Sequence, residues 1–288
     1  MRVPESAVGN SVAEEANIDA YFERIGFAGS IAPNLETLSQ LHQQHPAVIP
    51  FENLDALMGA PVRLELSNLQ QKLLFDKRGG FCLEHNLLFK AVLESLDFDV
   101  RLHGARVLWG HDPAEEREIS HIVLTVDIAG TPWLADVGFG GFTPTAPLRL
   151  RAEKEQATPH ETFRLMGGEP DWLLEVQLGE EWKPIYSFEE IDLDPDRLNE
   201  INEAVSKKGS LHDNLVATRA PKGRRLALRN NRLSIYPTEG ELERSTIADL
   251  AALREVLTTQ FGIQLPSAER LDPALLHILE GVPPAPGS

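Results

Sequence analysis

From Ile18 to about Phe98 apolar residues recur every three or four positions, in IDAYFERIGF, LETLSQLHQQH, LSNLQQKLLF and CLEHNLLFKAVLESL. That spacing lines one face of a helix, so the stretch predicts a small helical bundle. Pro46 and Pro50 interrupt it in HPAVIPFENLD, which predicts a loop carrying Phe51 and Glu52 over the bundle. After Phe98 the pattern changes to short β-rich runs separated by Gly, Pro and acidic turns: DVRLHGARVLW, SHIVLTVDIAG, TPWLADVGFG, TFRLMGG, DWLLEVQLG and EWKPIYSFEE. Regular short strands of this kind predict a β-barrel or sandwich. DLDPDRLNEINEAVSKKG reads as a connecting helix opened by Asp-Pro and closed by a basic, glycine-containing turn. NLVATRA, RRLALRN and NRLSIYP then read as strands, STIADLAALREVLTTQFG as a helix, and the chain runs out in a Pro-rich tail.

The expected fold class is therefore α+β in three parts: a helical bundle over 1–98, a β-barrel over 99–203 that includes the start of the connecting helix, and a smaller α/β unit over 204–288. The chain of 288 residues, 42% of them apolar, is long enough to bury a sizeable core. No internal repeat and no glycine-rich loop of dinucleotide or P-loop spacing is found, which disfavours nucleotide-dependent phosphoryl chemistry.

Charge narrows the choice of partner. With 27 Lys+Arg against 44 Asp+Glu the net charge is −17, so nucleic acid is repelled at long range. A small anionic ligand needs a local basic patch, for which Lys207, Lys208, Lys222, Arg224 and Arg225 are candidates beside an ordinary solvated surface. MRVPESAVGNSVAEEAN is polar and acidic, and no run reaches the roughly 18 apolar residues of a membrane span. A cytoplasmic protein without membrane contact is expected, and a homo-oligomer is compatible with the sequence. The single cysteine excludes an intramolecular disulfide and a multi-cysteine metal site, and no metal is expected.

That cysteine, Cys82, follows RGGF and opens a helix. Free backbone N–H groups and the helix dipole at such a position favour a thiolate, the nucleophilic form, and the N–H groups of Cys82 and Leu83 offer an oxyanion hole. The competing reading is a small buried hydrophobe; the Gly79-Gly80 turn favours presentation to a cleft. Of nine histidines, His121 stands at the start of the strand HIVLTV, where its ring can be fixed at a barrel end; a satisfied strand-edge histidine is the alternative. Asp136, in the apolar WLADVGFGG, needs a partner if buried. Residues 121 and 136 bracket a turn at Ala129-Gly130, so a hairpin would bring the carboxylate close enough to orient the imidazole. His85, on the face of Cys82, competes as a base or lines the pocket, although Glu84 points elsewhere and no other nearby carboxylate fixes its tautomer. Arg78 and Glu52 are expected to pair and hold IPFENLD against the cysteine turn, with an exposed arginine as the alternative.

IPFENLD, RGGFCLEHN, SHIVLTV and LADVGFG, in that order, resemble the arylamine N-acetyltransferase family across at least residues 20–142. The resemblance implies a bundle bearing the nucleophile, a barrel bearing histidine and aspartate, and an α/β lid. It implies Cys82, His121 and Asp136 as the catalytic triad, and Phe51, Phe139, Phe142, Gly138 and Val107 as the substrate-binding residues. The aromatic ones line an acceptor pocket, or else they are plain core. It also implies acetyl-CoA as a cosubstrate, no permanently bound cofactor, small aromatic amines or hydrazines as acceptors, ping-pong exchange and a role in xenobiotic metabolism. CoA contacts are expected at Lys207, Lys208 and Ser210, where AVSKKGSLHDNLV departs from the family's pattern, and Leu83 and His85 depart from it beside the cysteine. Two other readings of the same triad order are an amide synthase acting on a longer acyl chain and a transglutaminase-like thiol hydrolase. A binding module with a structural cysteine is the reading without catalysis.

Overall fold

A computed structural model describes residues 15–112, 115–207 and 210–281. The acidic N-terminal stretch up to residue 14, the Pro-rich end from residue 282, and Lys208 lie outside the described residues.

The first part comprises α1 (Ile18–Ile25), α2 (Leu35–Val48), β1 (Phe51–Glu52), α3 (Leu54–Leu57), α4 (Leu66–Gln70) and α5 (Cys82–Ser95), with a π-helical turn over Gln71–Phe75 continuing α4. The helix starts follow from local chemistry. The Asn17 side chain accepts from the Ala20 N–H and Asn34 from the Thr37 N–H, satisfying donors that the first turn leaves free. Leu38, Leu41, Leu88, Phe89, Val92 and Leu93 form the shared core. Two expectations are corrected here. Pro46 does not end α2, because in the last turn it removes a single ladder bond and the Ile49 N–H still reaches the His45 carbonyl at 2.8 Å. Phe51 and Glu52 are not loop but a short strand.

Next, β2 (Asp99–Val107), β3 (His121–Ile128), β4 (Thr131–Ala135), β5 (Leu148–Arg149), β6 (Gln156–Ala157), β7 (Thr162–Gly168), β8 (Asp171–Leu178) and β9 (Glu181–Asp192) form one antiparallel sheet. Its order is β5-β4-β3-β2-β9-β8-β7-β6. The two end strands meet through a side chain: the Gln156 amide accepts from the Arg149 N–H (2.8 Å) and donates to the Arg149 carbonyl (3.0 Å). The sheet is thus a nearly closed barrel with capped edges. Ala105, Val123, Leu134, Phe163, Leu174 and Tyr186 fill it. The β3–β4 hairpin turns at Ala129-Gly130, both in the left-handed region (φ 53° and 77°), as a two-residue turn requires.

The chain continues with α6 (Pro195–Lys207), α7 (Ser210–Asp213), β10 (Val216–Arg219), β11 (Arg224–Arg229), β12 (Arg232–Pro237), β13 (Glu243–Thr246), α8 (Leu250–Thr259) and α9 (Ala268–Gly281). Strands β10 to β13 form a second sheet, to which β1 adds as an edge strand beside β10. The N-terminal IPFENLD segment is therefore stitched to the C-terminal sheet. Strand β13 and helix α9 were not foreseen from the pattern. All four residues of β13 are exposed, so no alternation marks it. Helix α9 forms although Pro273 lies within it, because Leu271, Leu275 and Ile278 are buried on one face. Among the described residues no helix is long and apolar enough to cross a membrane.

A buried ionic network ties β1 and α3 to the start of α5. Arg78 contacts Glu52 at 2.7 Å and Asp55 at 3.2 Å, while Lys72 contacts Asp55 at 2.6 Å and Glu84 at 2.7 Å. Glu52 is fully buried and also accepts from the Leu54 N–H. The expected Arg78–Glu52 pair is thus present. Replacing Arg78 by Met strands the Glu52 charge, so Arg78→Met is expected to lower unfolding free energy by about 3–5 kcal/mol in denaturant titration. Loss of activity with unchanged stability would contradict this structural role.

Candidate functional site

Cys82 is the first residue of α5, and the sequence immediately before it determines how it is held. A Cβ on Gly79 would lie 1.9 Å from the Pro50 carbonyl oxygen, and one on Gly80 would lie 2.7 Å from a Glu84 carboxylate oxygen. Neither glycine has a positive φ. They are needed for close approach rather than for a special bend, which corrects the turn expected from sequence. Glu84, three residues into the helix start, accepts from the Phe81 N–H at 3.0 Å and so fixes the helix entry from within. Burial is the first cause of a raised Glu84 pKa, which Lys72 opposes.

His121 begins β3, and Asp136 follows directly after β4. Their side chains meet at 2.8 Å, His121 Nε2 to Asp136 Oδ2, with both groups buried. The other Asp136 oxygen accepts from Asn86 Nδ2 (2.9 Å) and from the Gly138 N–H (2.9 Å). Burial raises the Asp136 pKa, yet the His121 charge and these hydrogen bonds outweigh it and hold the carboxyl below its ordinary value. An ionised Asp136 takes the Nε2–H of His121, which leaves Nδ1 as the ring's free nitrogen.

Asn86 was missed by sequence reading although it lies four residues beyond Cys82, on the same helical face. Its amide donates to the Ile122 carbonyl (2.7 Å) and to Asp136, and its oxygen accepts from the Val137 N–H (3.0 Å). The Cys82 sulfur lies 3.8 Å from the Ser120 carbonyl oxygen. The residues on either side of His121 therefore touch Cys82 and Asn86. Gly138 backs onto Cys82, since a Cβ there would lie 2.8 Å from the Cys82 carbonyl oxygen. His42 adds a further unforeseen contact, its Nε2 accepting from the Asp136 N–H at 3.1 Å.

The environment of the sulfur differs from the expectation of a thiolate favoured by the helix start. Burial is the largest influence and pushes the Cys82 thiol up, and the Asp136 charge adds to it. The N–H groups of Leu83 and Cys82 pull the other way without prevailing. Tyr186, also unforeseen, lies over His121 with ring centroids 5.1 Å apart. Its hydroxyl is buried beside Asp136; burial, then the Asp136 charge and hydrogen bonding to that carboxylate, raises its pKa well above the ordinary value.

Phe139 meets the His121 ring edge to face at 5.3 Å, and Phe51 lies within van der Waals distance of the Cβ position of Gly140, whose φ is +91°. Phe142 packs on Trp109 at 4.7 Å and faces Tyr236 at 6.4 Å. Val107 ends β2 opposite Tyr186. His85 is not placed as a base: its Nδ1 meets His45 Nε2 at 2.8 Å and its Nε2 lies 3.2 Å from the Pro50 carbonyl oxygen.

The expected basic patch is only partly built. Arg225 is 2% exposed and forms a two-pronged contact with Glu161 (2.9 and 2.6 Å), so it is a buried clamp rather than a free phosphate ligand. A guanidinium with this geometry is withdrawn from solvent to satisfy the carboxylate. Lys222 and Arg224 are exposed, as is Lys207, which pairs with Glu203 at 3.0 Å. Ser210 opens α7, and its side chain lies outside the described residues.

Comparison with known proteins bears on this arrangement. The N-acetyltransferase family model matches residues 34–270. The arylamine N-acetyltransferase of Escherichia coli is 35% identical over 255 residues, covering 88% of this chain and 90% of that protein. A Salmonella typhimurium relative, an arylamine N-acetyltransferase / N-hydroxyarylamine O-acetyltransferase, is 36% identical over 249 residues, covering 85% and 88%. The solved Mycobacterium marinum arylamine N-acetyltransferase superposes with a TM-score of 0.88 at 34% identity, over 91% of this chain and all of that one. A structure of the M. marinum enzyme in complex with CoA matches with a TM-score of 0.86 at 35% identity, over 90% and 98%. The match spans both sheets and takes in Cys82, His121 and Asp136, and on that breadth the chain belongs to the arylamine N-acetyltransferase family as an acetyltransferase.

Proposed function

We propose that the protein transfers an acetyl group from acetyl-CoA to an aromatic amine or hydrazine in two steps through an acetyl-cysteine at Cys82. The observation that carries this reading is the buried Asp136–His121 pair lying where β3 runs beside the nucleophile's helix. A thiol pushed up by burial is a poor nucleophile alone. Transfer of its proton to Nδ1 of His121 gives an imidazolium whose charge Asp136 already balances, so thiolate and imidazolium form together.

In the first step the thiolate attacks the thioester carbonyl, the N–H groups of Cys82 and Leu83 hold the oxyanion, and the carbon–sulfur bond to CoA breaks as the Nδ1 proton of His121 passes to the departing sulfur, so CoA leaves as the thiol and His121 returns to neutral. One carbon–sulfur bond replaces another, so the acetyl-enzyme is close in energy to its donor. In the second step the amine nitrogen attacks, His121 accepts its proton, and the Cys82–acyl bond breaks. Phe51, Phe139 and Phe142, with Gly138 and Val107, form the acceptor side, where flat rings suit an aromatic amine. Lys207, Lys208 and Ser210 are the proposed CoA contacts, and Arg225, paired with Glu161, is withdrawn from the basic-patch candidates. We further propose three domains, divided near residues 98 and 203, and a cytoplasmic location with a role in xenobiotic metabolism.

Incubation with acetyl-CoA alone, read by intact mass, is expected to add one acetyl group to Cys82. An aromatic amine should discharge it, and Cys82→Ala and His121→Ala should not acquire it. An unmodified wild-type protein would overturn the reading and point to a longer acyl donor or to hydrolysis. Gly138→Ala offers a second check, because its methyl group meets the Cys82 backbone and the Asn86 amide, which is itself held by hydrogen bonds to Ile122, Asp136 and Val137. A loss of about tenfold or more in acetylation rate is expected, since misplacement of about 1 Å near a reacting group costs on that order. Unchanged kinetics would contradict the contact.

A further inference from the structure

Four elements converge on a buried chain of hydrogen bonds that the proposed mechanism does not use. The Tyr21 hydroxyl on α1 lies 2.9 Å from His45 Nδ1 on α2, His45 Nε2 lies 2.8 Å from His85 Nδ1 on α5, and His85 Nε2 lies 3.2 Å from the carbonyl oxygen of Pro50, just before β1. Tyr21 and His45 are 0% exposed and His85 is 1% exposed. A carbonyl can only accept, so His85 donates through Nε2 and accepts at Nδ1. His45 must then donate through Nε2 and accept at Nδ1, which requires the Tyr21 O–H as donor. One terminal carbonyl thus fixes both tautomers and the hydroxyl direction.

The chain has consequences at Phe51. The Pro50 carbonyl occupies the space left by the missing side chain of Gly79, and the Glu52 N–H bonds the Gly80 carbonyl at 2.8 Å. The Phe51 ring lies parallel to the His85 ring, with an interplanar angle of 2° and centroids 6.3 Å apart, and Gly140 of the loop after Asp136 closes on it. His85 therefore holds the Pro50 backbone and flanks the Phe51 ring at once. Burial pushes the His85 pKa down to about 4 and that of His45 well below its ordinary value. His85, His42 and Arg24 beside His45, and Lys72 beside His85, act in the same direction; hydrogen bonding to the Pro50 and Gly80 backbone, and then the Glu52 charge, oppose at His85 without prevailing. Both rings are neutral at neutral pH, as the donor order requires.

We propose that His85, locked by His45 and Tyr21, is a positioning residue that fixes Phe51 for the aromatic acceptor and leaves acetylation of Cys82 by acetyl-CoA untouched. The inference rests on the acetyl-cysteine reading above. Its test separates the two nitrogens of His85. Gln places an amide at the Nε2 position and can keep the bond to Pro50. Asn reaches only the Nδ1 position and cannot.

Rates of Cys82 acetylation without amine, and the amine concentration giving half-maximal discharge, would be measured for wild type, His85→Gln, His85→Asn and Tyr21→Phe. His85→Gln is expected to stay within about threefold of wild type in both, while His85→Asn raises the half-maximal amine concentration about tenfold, the worth of one hydrogen bond to a buried carbonyl. Its acetylation rate should stay within about twofold of wild type, because that step does not use the bond. Tyr21→Phe, which removes one oxygen, should shift the amine dependence in the same direction by a smaller factor, and it carries the test if His85→Asn fails to fold. Equal effects of Gln and Asn, a loss confined to the acetylation step, or an unaltered amine dependence in Tyr21→Phe would overturn the proposal. A wild-type protein that does not become acetylated would instead overturn the parent reading.

Discussion

Keeping a charged carboxylate out of water is the constraint around which this molecule is arranged. Asp136 is 0% exposed, and an unpaired carboxylate in such a place is costly enough to neutralise itself. It stays ionised because three donors from three directions reach it: His121 from β3, Asn86 from α5 and the N–H of Gly138 from its own loop. Each donor is itself held, Asn86 by the Ile122 carbonyl and the Val137 N–H, and the Asp136 backbone by His42. Barrel and bundle are thereby joined at one carboxylate. The same charge that orients His121 also discourages Cys82 from ionising alone. In the proposed mechanism Cys82 and His121 therefore act only as a pair.

A second layer of buried charge serves position rather than chemistry. Glu52, Asp55 and Glu84 meet Lys72 and Arg78 beneath the cysteine turn, binding β1, α3 and the α5 entry into one block. Strand β1 belongs to the C-terminal sheet, so this block also fixes where that sheet lies. Arg225 does the corresponding work at the barrel, clamping Glu161 and donating to the Thr143 carbonyl while β11 carries it. Lys72, Arg78 and Arg225 are thus drawn away from solvent to satisfy carboxylates, whereas Lys207, Lys222 and Arg224 stay exposed.

Much of this was legible in the chain because the signals are local. The 3.6-residue spacing of LETLSQLHQQH and the apolar, β-branched run HIVLTV, all six residues of which are buried, each point to an element by themselves, and Ala129-Gly130 specifies the hairpin that brings residues 121 and 136 near each other. The pairing of Arg78 with Glu52 followed from two motifs that had to meet. What escaped depends on distant partners. Nothing local says that Arg225 turns inward to Glu161, that Phe51 and Glu52 pair with Thr218 and Ala217, or that α9 survives Pro273 by burying Leu271 and Leu275. The glycines before Cys82 were identified, yet the reason for them lies in Pro50 and Glu84 rather than in backbone torsion. At Cys82 the helix position is visible in sequence, whereas the burial that pushes its thiol up is not.

The dependence of Cys82 on His121 is tested most directly by the pH profile of its alkylation with a small iodoacetamide-type reagent. Burial and Asp136 push the lone thiol up; in the proposed mechanism His121 offsets them by taking the proton, so wild type should react at a rate nearly flat from about pH 6 to pH 9. In His121→Asn the acceptor is gone, and the rate should fall at neutral pH and climb only above about pH 9. A wild-type profile that rises like an ordinary thiol near pH 8.5, unchanged in His121→Asn, would contradict a thiolate formed with His121.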